Sequence, residues 1–171
     1  SPHAYYVQGV AGEASENQGF MSNAGVVVTD QGVVVIDALG TPSLAYLLLA
    51  RIREITDQPI VKVVTTHYHA DHIYGLKVLS EKLNIPILAN SDTAKGIYNN
   101  LHVLPKFIIF TIFEELEYKD LQIFPFSIQH DTLDPVGFII RTKGLKFAFC
   151  TDLGFVTTHV MQILKNCDYL Y

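Results

Sequence analysis

The amino-acid sequence predicts an α/β fold, a layered sandwich with mixed β-sheets, from three observations. Short apolar runs of strand length recur along all 171 residues. In the first part of the chain these runs alternate with segments whose apolar residues have helical spacing. In the later part they follow one another across short turns, as in hairpins. Alternation favours parallel strand neighbours and hairpins favour antiparallel ones, so we expect both in one domain spanning residues 1–171.

The first part of the chain predicts a strand at 5–10, a hairpin of strands at 24–30 and 31–38, and a helix that follows Gly40. The residues Asp30 and Gly32 lie at the hairpin turn, where their types are favoured. Thr41 supplies a hydroxyl cap for the helix, and Pro42 occupies its first turn, where the missing N–H costs nothing. Leucine and isoleucine at helical spacing extend this helix to about Thr56.

The rest of the chain first alternates strands with helices and then changes to hairpins. We expect strands at 60–66 and 86–89, helices at 73–83 and from a Ser91 or Asp92 cap to about Tyr98, a β-type segment at 107–113, hairpins at 114–118 with 121–129 and at 136–141 with 145–151, a helix at 155–164, and a strand at 168–171. This order suits two mixed sheets in a layered arrangement.

The most informative motif is the string His67-Tyr68-His69-Ala70-Asp71-His72, which directly follows an apolar strand. Neutral imidazole nitrogens and carboxylate oxygens are standard zinc ligands, and α/β sheets bind ligands at the carboxyl ends of their strands. His67 and His69 are two residues apart, so in an extended segment they point to the same side. Asp71 and His72 follow where the chain should turn, so one short loop can serve two metals.

Two later strands also end in residues of metal-binding type. The strand at 121–129 is followed by His130, and the strand at 145–151 is followed by Asp152. Taken alone, His130 is ambiguous, and Asp152 could instead cap the following helix. Together with the histidine motif they indicate further metal ligands at the same edge of the fold.

Composition limits the classes of partner. The formal net charge of −5 argues against a protein that binds nucleic acid mainly through surface charge. It does not exclude a nuclease, because bound metal cations supply local positive charge. Cys150 and Cys167 lie in apolar contexts and are predicted to be buried free thiols. No signal peptide or membrane span is visible, which leaves both a cytoplasmic and a periplasmic location open.

The combined series of His67, His69, Asp71, His72, His130 and Asp152 resembles the metal-ligand series of the metallo-β-lactamase superfamily. The strings Asn17-Gln18-Gly19-Phe20-Met21-Ser22-Asn23 and 66–75 resemble SoxH-like, quinoprotein-associated zinc hydrolases. From about Leu76 onward the chain resembles the YycJ-type nuclease branch, including the string at 130–137. A chimera joined near residue 76 and a natural intermediate sequence are both open explanations.

The resemblance implies an αβ/βα sandwich and a specific ligand set. Metal one would take His67, His69 and His130, metal two would take Asp71 and His72, and Asp152 would bridge them. The cofactor would be one or two Zn²⁺ ions, with Mn²⁺ or Fe also compatible with a bridging aspartate. Asp71 could also orient or activate the attacking water, and Asp37, which ends a strand, matches an aspartate that supports the ligands.

The chain departs from the family pattern at its later end. The resemblance implies a late histidine and closing elements beyond Tyr171, so we expect a second metal site short of one protein ligand and a fold without its last elements. His3, His102 and His159 lie outside the family motifs. An apolar sheet edge exposed in this way would favour a homodimer.

These observations favour a metal-dependent hydrolase that uses a zinc-activated water on a phosphodiester or on an ester, thioester or lactam. The substrate would be a small molecule or a phosphodiester; nucleic acid is not favoured by charge, and no membrane partner is expected. The alternative from another class is a metal-binding scaffold with little or no catalysis. A third hypothesis, a di-iron redox protein, lacks support because the chain carries no flavin domain.

Overall fold

Two mixed β-sheets packed face to face form the centre of the molecule, as the sequence predicts. They are seen in a computed structural model of the chain, which describes residues 3–102 and 105–171. The strands are β1 Ala4–Val7, β2 Ala24–Thr29, β3 Gly32–Ile36, β4 Ile60–Val64, β5 Ile87–Ala89, β6 Phe107–Ile109, β7 Leu116–Tyr118, β8 Leu121–Ser127, β9 Val136–Thr142, β10 Leu145–Phe149 and β11 Tyr169–Leu170. The helices are α1 Ala14–Asn17, α2 Pro42–Ile55, α3 Ala70–Ile73, α4 Leu76–Leu83, α5 Ser91–Leu101 and α6 Thr158–Ile163.

The first sheet has the strand order β1-β2-β3-β4-β5-β6. Its first three strands are antiparallel, and β3 to β6 run parallel. Because parallel strands end at the same edge, the residues that follow β3, β4 and β5 lie side by side there. Asp37 follows β3, the segment 65–67 follows β4 and Asn90 follows β5.

The second sheet has the order β11-β10-β9-β8-β7. Each of the strands β7 to β10 is antiparallel to the next, so β8 and β10 run in the same direction. His130, which follows β8, and Asp152, which follows β10, therefore lie at the same edge of the sheet. At this edge the backbone N–H of Val136 donates to the carbonyl of Thr66 across 3.1 Å. That hydrogen bond joins the second sheet to the end of β4, where the histidine motif begins.

Apolar side chains fill the space between the two sheets, and further apolar side chains cover the outer face of each sheet. Between the sheets, Val34 and Val64 pack in one buried cluster with Phe138 and Phe147. Helices α2, α4 and α5 bury their apolar sides on the first sheet. Helix α6 covers the second sheet with Val160. The order of layers is therefore helix, sheet, sheet, helix, which is the αβ/βα arrangement.

The predicted helix starts are partly confirmed. Thr41 caps α2 as expected, and its hydroxyl accepts from the N–H of Leu44 at 3.1 Å. Helix α5 is capped by Asn90 and not by Ser91 or Asp92, because the Asn90 side chain accepts from the N–H of Thr93 at 2.8 Å.

Helix α6 begins at Thr158 and not at 155, because Thr157 is its cap and accepts from the N–H of Val160. The residues before it, 152–156, form a loop at the edge that carries Asp152.

The prediction of one continuous helix at 73–83 is wrong. The structure has α3, a break at Tyr74 and Gly75, and then α4. At the break two segments approach closely, since a Cβ atom at position 75 would overlap the carbonyl oxygen of Ala38. The N–H of Gly75 also donates to the carbonyl of Leu39 at 3.0 Å. The β-type segment at 107–113 is shorter than predicted, and α1 was not predicted.

Both cysteines are free, as predicted, although they are half-buried rather than fully buried. Burial raises the pKa of Cys150 to about 11. Among the residues that the structure describes, no helix has the length and apolar character needed to cross a membrane.

Candidate metal centre

The six residues predicted as metal ligands are brought to one edge of the sandwich by three chain segments. His67 leaves β4 after two threonines, His69 is the cap residue of α3, and Asp71 and His72 lie within α3. His130 follows β8 and Asp152 follows β10. The extended backbone of β4 and the short helix α3 thus turn four residues of one motif toward the two residues of the second sheet.

The first group of close side chains consists of His67, His69 and His130. One ligand atom from each lies within 4.8 Å of the others. The Nε2 atom of His130 is 3.2 Å from the Nδ1 atom of His69. This is the set expected for metal one.

The second group consists of His67, His72 and Asp152, whose ligand atoms also lie within 4.8 Å of one another. The Nε2 atom of His72 is 3.1 Å from Oδ2 of Asp152. The two groups share His67, so they form two adjoining positions and not two separate sites. Asp152 adopts a positive φ of 55°, a conformation that aspartate tolerates better than most residues.

Asp71 lies beside the second group without being part of it. Its Oδ2 atom is 3.6 Å from His72 Nε2, farther than the Asp152 carboxylate. The hydroxyl of the buried Ser22 donates to the backbone carbonyl of Asp71, which fixes this turn of chain. Gly40 allows the approach, because a Cβ atom there would lie 3.1 Å from the Asp71 Cα.

Asp37 organises the imidazoles from behind. Its carboxylate accepts from the backbone N–H of Thr66 at 2.9 Å and from the Thr66 hydroxyl at 2.7 Å, and it lies 2.8 Å from Nδ1 of His72. Since the Thr66 hydroxyl donates to Asp37, its oxygen can accept the Nδ1–H of His67, which is 2.9 Å away. Both His67 and His72 are then left with Nε2 directed at the two groups.

The two buried histidines, His67 and His72, have pKa values that are shifted in opposite directions. Burial, followed by the charge of His72, lowers the pKa of His67 to about 4. Burial also opposes charge on His72, but the carboxylates of Asp37 and Asp152 raise its pKa to about 10. Burial likewise opposes charge on Asp152, but its pairing with His72 lowers the pKa to about 2. Without a metal, the second group therefore holds an ion pair while His67 stays neutral.

A metal ion fits the donor atoms that converge here. Among the described residues, His67 Nε2 is buried without a hydrogen-bond partner, and His72 Nε2 and Asp152 Oδ2, although paired at 3.1 Å, are not aligned as a hydrogen bond. A buried polar atom without a partner, such as His67 Nε2, costs about 1–3 kcal/mol, and a cation between the groups would bind all three atoms. Imidazole with carboxylate suits zinc and is also compatible with harder divalent ions. The cluster can thus hold a divalent metal.

The histidines outside the motifs do not enter either group. His102 ends helix α5 as its C-cap. The ring of His159 packs against Phe113, with centroids 5.6 Å apart.

Three supporting residues were not identified from the sequence: Ser22, Thr66 and Asp131. Asp131 Oδ1 lies 3.2 Å from Nδ1 of His130 and 3.9 Å from Nε2 of His69. The sequence signal that could have identified Asp131 was its position directly after His130. Thr66 likewise precedes His67, but a hydroxyl before a ligand does not by itself indicate which carboxylate it reaches.

Two cavities lie next to the predicted metal ligands and the residues that support them. An open cleft of about 490 Å³ is lined by Gln129, His130, Asp131, Gly154 and Phe155. A more enclosed cavity of about 330 Å³ reaches Asp37 and Thr151 from the other side and is walled partly by aromatic rings. The open cleft borders His130, one member of the first group.

Comparison with known proteins adds sequence relatives and structural neighbours. Exodeoxyribonuclease YycJ of Bacillus anthracis is 28% identical over 153 residues, which cover 88% of this chain and 57% of the relative. This chain therefore spans little more than half the length of that relative. The matched region is too long to lie on one side of residue 76, so similarity to YycJ extends across the predicted join. A composite origin stays a prediction.

Among solved structures, the Rm3 metallo-beta-lactamase aligns with a TM-score of 0.70 at 18% identity, covering 98% of this chain and 74% of that chain. Zn(2+)-bound PqqB from Methylobacterium extorquens aligns with a TM-score of 0.70 at 19% identity, covering 86% and 58%. At these identities the two neighbours establish the fold alone.

The family model described as the metallo-beta-lactamase superfamily matches residues 17–166. This range includes all six predicted ligands and all but the first and last strands. The sandwich, the strand-end histidines and the family match agree with one another. The chain belongs to the metallo-beta-lactamase superfamily.

Proposed function

We propose that the chain is a metal-dependent hydrolase that cleaves phosphodiester bonds with one or two zinc ions. The observation that carries this proposal is the pair of adjoining groups that meet at His67, with three buried ligand atoms that no aligned hydrogen bond satisfies. Three histidine ligands with an open position are typical of catalytic zinc, whereas closed four-ligand sets are typical of structural zinc. The open cleft beside His130 supplies that access.

In this proposal His67, His69 and His130 hold metal one, and His72 and Asp152 hold metal two with Asp71 close by. When bound, zinc polarises a substrate oxygen and lowers the pKa of water to about 7. The carboxylate of Asp71, on which the sequence prediction placed the catalytic role, would accept a hydrogen bond from the attacking water and orient it. Asp37 would keep the imidazole of His72 in position through Nδ1.

The choice of a phosphodiester rests on the curated relative that is named an exodeoxyribonuclease. The net charge of −5 weakens the case for a long nucleic-acid footprint, because phosphate contacts dominate the affinity of such surfaces. A phosphate held mainly by metal ions does not need that surface. We therefore place a short phosphodiester or a strand end in the site.

A metal-binding scaffold with little catalysis is the second candidate. The observation that favours it is the second group: once His67 binds metal one, the described members of that group that are left for metal two are His72 and Asp152, with Asp71 3.6 Å from His72 Nε2. An ester, thioester or lactam hydrolase is the remaining alternative within the same chemistry.

The test is a turnover panel with zinc- or manganese-loaded protein. The substrates are bis-p-nitrophenyl phosphate, a thioester, a lactone and a chromogenic cephalosporin, each measured against chelator-treated protein and against a His67→Ala/His69→Ala variant. We expect metal-dependent turnover of the phosphodiester that the variant loses. Background rates on all four substrates would favour the scaffold, and turnover of another substrate alone would overturn the choice of phosphodiester.

A further inference from the structure

We infer that Phe155 is a stacking surface for the nucleobase next to the scissile phosphodiester, an inference that rests on the proposed function. Phe155 lines the open cleft together with His130, a member of the first metal group. It would thus contact substrate and contribute to affinity for a strand that carries a base at this position. Neither the histidine motif nor the family match assigns it a role.

The loop that carries Phe155 is fixed at both ends. It begins at Asp152, whose carboxylate faces His72, and it ends at Thr157, the cap of α6. Between them the N–H of Gly154 donates to the carbonyl of Gln129 at 2.7 Å, which joins the loop to the residue before His130. A Cβ atom at position 154 would lie 2.9 Å from that carbonyl oxygen, so glycine permits the close approach. Phe155 is therefore placed beside the first metal group by the backbone.

The ring of Phe155 is available to a ligand. It is 62% exposed, and it is not a member of the apolar cluster under α6 that includes its neighbour Leu153. In the described part of the chain, no aromatic ring packs against it. An exposed apolar ring at the wall of a cleft is unfavourable in water and becomes favourable when a flat ligand covers it.

The charged residues that line the cleft indicate which kind of flat ligand it can bind. Its lining contains no lysine or arginine, and its one carboxylate, Asp131, is 83% exposed in its side chain. Such a cleft does not suit a row of phosphates. It suits one phosphate at the metal groups and one uncharged ring on Phe155, which is the arrangement of a nucleotide at a strand end. Stacking of a base on an aromatic side chain strengthens binding and tolerates any base.

The experiment compares three variants of the metal-loaded chain: Phe155→Ala, Phe155→Trp and Val156→Ala. Val156 is the matched control, because it is adjacent and 51% exposed but does not line the cleft. One substrate is a short single-stranded DNA with 2-aminopurine at both terminal positions. The second has abasic sugars at those positions. The readouts are KM and kcat, together with the fluorescence of 2-aminopurine, which is quenched on stacking.

We expect Phe155→Ala to raise KM for the base-bearing strand about 10-fold with little change in kcat, and to remove the quenching. The abasic strand should have the same KM with all proteins, Phe155→Trp should restore the wild-type values, and Val156→Ala should match wild type. Hydrolysis with equal KM and quenching in wild type and Phe155→Ala would overturn the inference alone. Quenching that depends on Phe155 without hydrolysis would overturn the proposed function and support the stacking surface. Absence of both would overturn both.

Discussion

The carboxylate of Asp37 lies 2.8 Å from the Nδ1 atom of His72, and both side chains are 1% exposed. This contact fixes which nitrogen of His72 faces the second metal group. The same carboxylate oxygen accepts from the Thr66 hydroxyl, which in turn reaches His67. One aspartate after β3 thus orients one histidine of each group, because His67 belongs to both.

Replacement of Asp37 should weaken metal binding without removing a ligand. Loss of a carboxylate that orients a ligating histidine typically costs 10–100-fold in metal affinity. We expect Asp37→Asn to fall in this range and Asp37→Ala to lie at its weaker end, measured by zinc competition with a chromophoric chelator. Asp120→Ala, at an exposed turn, is the control and should bind zinc like wild type. Equal affinity in Asp37→Ala, in protein that is folded by circular dichroism, would contradict the role assigned to Asp37.

The stability of the metal-free protein should depend on pH through His72. Its pKa is about 10 in the fold and about 6.5 in an unfolded chain, so its contribution is complete below pH 6.5 and is lost as the pH rises toward 10. We expect the free energy of unfolding to fall between pH 6.5 and 9 by on the order of 1 kcal/mol per pH unit. Urea denaturation in the presence of a chelator measures this slope.

Below pH 6.5, His67 should make the metal-free protein less stable as the pH falls. Its pKa is about 4 in the fold, so protonation of the unfolded chain removes stability as the pH falls from 6.5 toward 4. Together the two histidines predict maximal stability of the metal-free protein near pH 6.5. A His72→Asn variant should lose the slope above pH 6.5, and an unchanged slope would mean that another group causes it.

The break between α3 and α4 should be sensitive to a single methyl group. Gly75→Ala places a Cβ atom against the carbonyl of Ala38, and overpacking of this kind costs about 1–3 kcal/mol. Lys77→Ala, at an exposed position two residues later, should stay within about 0.5 kcal/mol of wild type. Denaturant unfolding of the two variants checks the difference. Equal stability would show that the two segments can separate without cost.

The outer strands β1 and β11 should promote self-association. Strands β1 and β11 are outer strands of the two sheets, and Tyr6 and Leu170 on them are 55% and 61% exposed. We expect dimers that grow with concentration in sedimentation velocity and that a Tyr6→Lys/Leu170→Lys variant abolishes. Tyr46→Lys, on α2 and similarly exposed, should leave the dimer intact. A monomer at all concentrations would contradict this prediction.

Much of the fold could be predicted because its signals are local. Strand-length apolar runs predicted the hairpin of β2 and β3, and a threonine followed by proline predicted the start of α2. The break at Gly75 could not be predicted, because it depends on contact with Ala38, which is distant in sequence. The cap of α5 was misplaced because three successive residues, Asn90, Ser91 and Asp92, can all cap a helix.

The site was predicted in its residues more fully than in its arrangement. The histidine motif after β4 and the strand ends of β8 and β10 indicated every member of the two groups, because these strands end at the same edge of the sandwich. The structure places the carboxylate of Asp152 nearer to His72 than that of Asp71, at 3.1 and 3.6 Å. No local pattern encodes this order, and the role of Asp71 as a ligand stays a prediction.

The central claim, a metal centre formed by the histidine motif and the two later strand ends, is tested most directly by metal content. The measurement is mass-spectrometric metal analysis of purified wild type, His67→Ala/His69→Ala and His102→Ala/His159→Ala after equilibration with zinc. We predict one or two zinc ions per chain in wild type and in the His102/His159 variant, and loss of at least one ion in the His67/His69 variant. Absence of bound metal in wild type, or equal stoichiometry in all three proteins, would contradict the assignment.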